Sequence, residues 1–159
     1  MKKNILLLFL CLSISCQQKP VSKGTKNTVD DLQIPHPLEK IDYNNVIGFA
    51  CYESGSMTKP VKFFYDLIHN KNYVKVKEKL YSSVPAEKYL ATILCEKLEN
   101  KKSLKITIQE ENQIKNNKSS KELVLTCTGC TNSDEVVLSD LLKFEQNYFT
   151  EQLEEWLKN

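Results

Sequence analysis

Three runs of apolar residues at helical spacing, set almost end to end within residues 59–100, constrain this chain more than any other feature. In "KPVKFFYDLIHN", Val61, Phe64 and Ile68 share one face, with Phe63 and Leu67 beside them. Pro60 stands near the start, where a missing N–H costs little. "NYVKVKEKLYSS" brings Tyr73, Val76 and Leu80 into step. "SVPAEKYLATILCEKLEN" opens on Ser83 and Pro85, turns Ala86, Leu90, Ile93, Leu94 and Leu98 inward, and stops at Asn100. The connections are short, so successive helices are expected to pack antiparallel. The spacing predicts a mainly α protein: a small helical domain of short antiparallel helices with one or two short extended segments.

The flanks fit that frame. "NNVIGFACYESGS" is an apolar run closed by turn residues, either a strand or a buried helical turn. Leu104, Ile106 and Ile108 alternate as in a strand, but Thr107 with Glu110 forms a capping-box pattern that favours a helix over residues 108–117. "KELVLTC" alternates and is rich in β-formers, which predicts a short strand. The last 21 residues place Leu142, Phe149, Leu153, Trp156 and Leu157 at helical spacing, with Ser139 as the expected cap and Trp156 as a core anchor. This block of helices, residues 59–100, and "AEKYLATILCEKL" in particular, resembles a helix-pair unit of the HEAT or armadillo kind. A solenoid needs about three repeats to bury a continuous core, and no second copy is present, so residues 42–159 are expected to form one domain.

The first residues carry a different message. "MKKNILLLFLCLSISC" has basic Lys2 and Lys3, an apolar stretch from Ile5 to Ile14, and small residues before Cys16. The apolar stretch is shorter than the about 20 residues needed to cross a bilayer. This segment resembles a bacterial lipoprotein signal with its lipobox. The resemblance implies cleavage after Ser15 (residues 1–15 as signal peptide) and diacylglycerol on the Cys16 thiol. With Gln17 following, it also implies passage to the outer membrane. Residues 16–41 then read as a lipidated N-terminus and flexible tether, because prolines, lysines and small polar residues there offer little apolar surface to bury. The expected location is the bacterial cell envelope. The expected partners are the membrane, through the lipid, and an envelope protein.

Charge excludes other partners. All 22 basic residues are lysine. Arginine supplies the planar fork that reads guanine edges and phosphates, and lysine is only a point charge. Without Lys2 and Lys3, lysines and acids balance, so nothing pulls a polyanion from a distance and no nucleic-acid partner is expected.

"LTCTGCTN" is the one motif with chemical promise. A c-type haem would need histidine where Thr131 stands. Zinc would need two more ligands near Cys127 and Cys130, and Cys51, Cys95, His36 and His69 are scattered far along the chain, so no metal is expected. A thiol oxidoreductase is the sharper alternative, because a CxxC pair at a helix N-terminus has an acidified thiol. Thioredoxin-like folds also set a cis-proline against the pair, and no proline follows Pro85. An exported protein folds where thiols are oxidised, so a structural disulfide is the leading expectation. Cys51 is expected to bond with Cys127 or Cys130, and Cys95 to stay free as a buried small hydrophobe. The acidic pairs Glu110–Glu111, Asp134–Glu135 and Glu154–Glu155 read as solvated faces or caps. No catalytic residue and no cofactor is expected, and the domain should act by binding or as a structural element.

Overall fold

The computed structural model describes residues 42–51, 54–129, 131–143 and 147–158, with backbone alone at 131–133. The signal segment, Cys16, the tether with His36, and Cys130 lie outside the described residues. Among the described residues six α-helices and a small three-stranded sheet make the domain mainly α, with a few short extended segments. The helices are α1 (Lys59–His69), α2 (Tyr73–Glu78), α3 (Pro85–Asn100), α4 (Ile108–Lys118), α5 (Leu138–Lys143) and α6 (Tyr148–Trp156). The strands are β1 (Val46–Ile47), β2 (Leu123–Thr128) and β3 (Thr131–Val137).

Helix α3 is the centre of the domain. Its buried residues include Ala86, Tyr89, Thr92, Ile93, Cys95 and Leu98, which together cover most of its circumference. A helix buried over most of its girth must be packed by several others, and α1, α2, α4, α5 and α6 all lie against it. Burial pushes the Tyr89 hydroxyl up to about 12, and it reaches Asn147 at 3.4 Å. The buried Asn117 at the end of α4 donates to the Leu80 carbonyl and to the Thr92 hydroxyl, both at 3.1 Å. An unmatched amide there would be costly, so these bonds fix α4 against the core.

The expected capping box is present. The Thr107 side chain accepts from the Glu110 amide while the Glu110 carboxylate accepts from the Thr107 amide at 2.7 Å. Helices α1 and α3 end in the same way, each with a lysine in the left-handed region, Lys71 at φ 54° and Lys102 at φ 58°. The Lys102 amide bonds the Glu99 carbonyl at 2.8 Å and the Ser103 amide the Leu98 carbonyl at 2.9 Å, the pattern in which glycine is preferred. A Cβ in that conformation carries steric strain. Lys102→Gly is therefore expected to raise the unfolding free energy by about 0.5–1 kcal/mol, measured by urea titration. An unchanged or lower stability would mean the lysine is unstrained there.

The sheet has the order β1-β2-β3, with β1 parallel and β3 antiparallel to β2. Val46 pairs with Leu125 and Ile47 with Thr126, so alternation sends Ile47 and Val124 into the main helical core. Val46 joins Leu125, Cys51 and Cys127 in a second cluster on the other face.

Two expectations needed correction. The C-terminal segment is not one helix capped by Ser139. Ser139 lies inside α5, its amide bonded to the Ser120 carbonyl at 3.1 Å. Asn147 adopts an extended conformation and starts α6 by accepting from the Thr150 amide. A third strand, β3, also appears in polar sequence where none was expected. Trp156 does pack on the core, its ring 5.1 Å from Phe49 and 5.4 Å from Tyr65.

Candidate functional site

Cysteines 51 and 127 are joined as a disulfide across a sequence separation of 76 residues. The sheet register explains why these two meet. Parallel pairing carries Ile47 alongside Thr126, and the chain continues in the same sense so that Cys51 bridges Gly129 just beyond the end of β2. The Cys51 amide bonds the Ser56 carbonyl at 2.9 Å, the Ser56 amide returns to the Cys51 carbonyl at 3.2 Å, and the Gly129 amide bonds the Ala50 carbonyl at 3.2 Å. On β2 the pairing slips between Thr126 and Thr128, a bulge centred on Cys127. The bridge lies directly over Gly48, where an added Cβ would sit 2.0 Å from the Cys51 sulfur.

These surroundings bear on the chemistry of the cysteines. Cys51 is 1% exposed and Cys127 0%, so a thiolate from another molecule has no path to either sulfur. Strand β3 begins at Thr131, directly after the CTGC motif, so no helix N-terminus stands there to acidify a thiol. Cys95 is free and buried within α3, and burial pushes its thiol up to about 12, which keeps it protonated at neutral pH. His69 is on the surface and stacks on the Tyr65 ring at 6.0 Å. Among the described residues no group of three or more histidine, cysteine or acidic side chains could hold a metal ion, and no helix is long and apolar enough to cross a membrane.

The acidic pairs divide. Glu110 caps α4 and also bonds Lys77 at 2.9 Å, and although partial burial works against ionisation, those bonds hold its carboxyl below the usual range. Asp134 and Glu135 are exposed on β3. Glu154 and Glu155 sit on α6, paired with Lys97 and Lys158 respectively. The first of these borders a feature the sequence did not announce. A cleft of about 380 Å³ opens between α3, α4, α5 and α6, with Ile93 and Leu142 in its lining. Lys97 pairs with Glu154 on one side, and Lys118 with Glu96 at 2.6 Å on another. A neighbouring cleft of about 350 Å³ shares Lys97, Asn100 and Glu154 and extends the groove to Lys101 and Lys158. The residues of the groove come from four helices spread along the chain, and no sequence motif links them. Compared with known proteins, the chain matches no family model, no curated protein and no solved structure.

Proposed function

We propose that this chain is a lipid-anchored protein of the bacterial cell envelope, held to the outer membrane through Cys16, whose helical domain acts by binding or as a structural element and not by catalysis. The observation that carries the reading is the buried Cys51–Cys127 bridge. Disulfides of this kind persist where thiols are oxidised, outside the cytosol, which agrees with the lipobox-like "SISC" at the signal's end. Burial of both sulfurs also favours a staple over a reactive centre. The thiol-redox alternative, using Cys127 with Cys130, keeps only the CxxC spacing in its favour.

Labelling cells with radioactive palmitate tests the anchor. Wild type should take up label and Cys16→Ser should lose it; label retained in the variant, or none in wild type, rejects the anchor. The redox alternative requires insulin-reducing activity that disappears in Cys127→Ser. The binding reading expects no activity above the buffer in either protein.

A further inference from the structure

We propose that the groove along α3, α4 and α6 binds a small organic anion, a carboxylate or phosphate monoester on a short uncharged body, with Lys97 and Lys118 as its counter-ions. This names the ligand class of the binding domain proposed above and rests on that reading, though not on the lipid anchor.

Size and lining come first. A cleft of about 380 Å³ is in the range that small-molecule sites occupy. Ile93 and Leu142, both largely buried, offer an apolar surface for the ligand's body. Polar groups stand around it. Asn100 is exposed and makes no side-chain hydrogen bond among the described residues, so its carboxamide is available to a ligand oxygen.

Charge selects the class. Lys97, Lys101, Lys118 and Lys158 border the two joined clefts. They face three carboxylates, Glu154, Glu96 and Glu155, while the Lys101 ammonium bonds the Leu157 carbonyl. Those pairings leave one ammonium, that of Lys101, in excess of the carboxylates around the groove.

The ion pairs are placed to be exchanged. The Lys97 side chain is only 20% exposed, whereas its partner Glu154 is 56% exposed. Exposed ion pairs are weakly held, and a partly desolvated ammonium gains more from an anion than a solvated one does. Glu154 and Glu96 thus hold the positions a ligand's anionic group would take. An arriving carboxylate or phosphate replaces them, and the glutamates turn out into water. Lysine, as a point charge, does not distinguish a planar from a tetrahedral anion, so both sources share the site.

Titration calorimetry on the purified full chain separates these arms, with butyl phosphate, butyrate, inorganic phosphate and butanol as probes. The expected result is saturable one-to-one binding of butyl phosphate or butyrate, weaker binding of inorganic phosphate, and none of butanol. Lys97→Gln should weaken the bound anion by about tenfold or more, and Glu154→Gln should tighten it several-fold by removing the internal competitor. The last effect is one a purely structural clamp would not produce. Should Lys97→Gln fail to fold by circular dichroism, Lys118→Gln serves in its place with the same expectation. No saturable binding of either organic anion, an affinity indifferent to both lysine variants, or a Glu154→Gln variant that binds no tighter overturns the proposal. Palmitate labelling and insulin reduction read the broader function independently, so failure here is distinguishable from failure there.

Discussion

Cys51→Ser should lower the unfolding free energy of the oxidised protein by about 2–4 kcal/mol. That corresponds to a fall in Tm of roughly 10 °C or more for a domain of this size. The bridge spans 76 residues of sequence, so opening it returns to the denatured chain the freedom of a long loop. On the native side the early segment keeps other holds: the two-residue strand β1, the Asn45 side chain, which donates to the Leu123 carbonyl and accepts from the Ala86 amide, both at 2.9 Å, the Thr58–Gly48, Cys51–Ser56 and Gly129–Ala50 backbone bonds, and the packing of Phe49 against Phe149 and Trp156. The loss is therefore mainly that of the cross-link itself. Urea unfolding should show the loss together with a larger m-value, because a denatured chain without the cross-link exposes more surface. Peptide mapping of the wild type should recover Cys51 bonded to Cys127. A Cys127–Cys130 bridge with Cys51 free, or a Cys51→Ser protein as stable as wild type, would falsify the staple and restore the redox reading.

The same physics decides how much of this fold the sequence displays. Helices α1 to α4 are legible because their cause is local: an apolar face at 3.6-residue spacing, Pro60 and Pro85 at the starts, the Thr107–Glu110 box. Strand β2 is legible for the same reason, through its β-formers. Strand β3 is hidden because "TNSDEVV" carries no alternating apolar signal; it is a strand because β2 lies beside it and supplies its hydrogen-bond partners. The break before α6 is hidden because its box uses Asn147 and Thr150, a pair whose spacing fits but whose composition differs from the usual Ser or Thr with Glu or Gln. The uninterrupted apolar stripe therefore reads as one helix. Pairing of Cys51 was legible as a choice between two partners, and only the parallel register of β1 on β2 makes it Cys127. The groove is the least legible element. Lys97, Lys118 and Glu154 are ordinary surface residues in sequence, and only the packing of three helices brings them to one rim.

Gly48→Ala is expected to cost about 3 kcal/mol or more, although it adds a single methyl group. Gly48 has no left-handed backbone, unlike Gly55 and Gly129 at φ 60° and 75°, so alanine there meets no conformational strain. What it meets is the bridge: the added carbon would lie 2.0 Å from the Cys51 sulfur, 2.9 Å from the Cys127 carbonyl oxygen and 3.1 Å from the Cys127 Cβ. A sulfur cross-linked to β2 cannot swing aside as a free side chain would. Either β1 is pushed off the sheet or the disulfide does not close, and the second outcome would appear as two additional thiols in alkylation mass spectrometry. The penalty should therefore depend on the bridge. In a Cys51→Ala, Cys127→Ala background the sulfur clash is gone while the residue 127 carbonyl oxygen at 2.9 Å and its Cβ at 3.1 Å remain, so Gly48→Ala should still cost about 1–2 kcal/mol. A coupling of about 1 kcal/mol or more between the two sites follows. Gly129→Ala supplies the contrast, because nothing among the described residues lies within 4 Å of its added Cβ. Its cost, about 1–2 kcal/mol from the left-handed backbone alone, should be the same with or without the disulfide. If Gly48→Ala instead folds with its bridge intact and its stability unchanged, the sulfurs do not lie over Gly48, and the clamp that orders the start of this domain must be built differently.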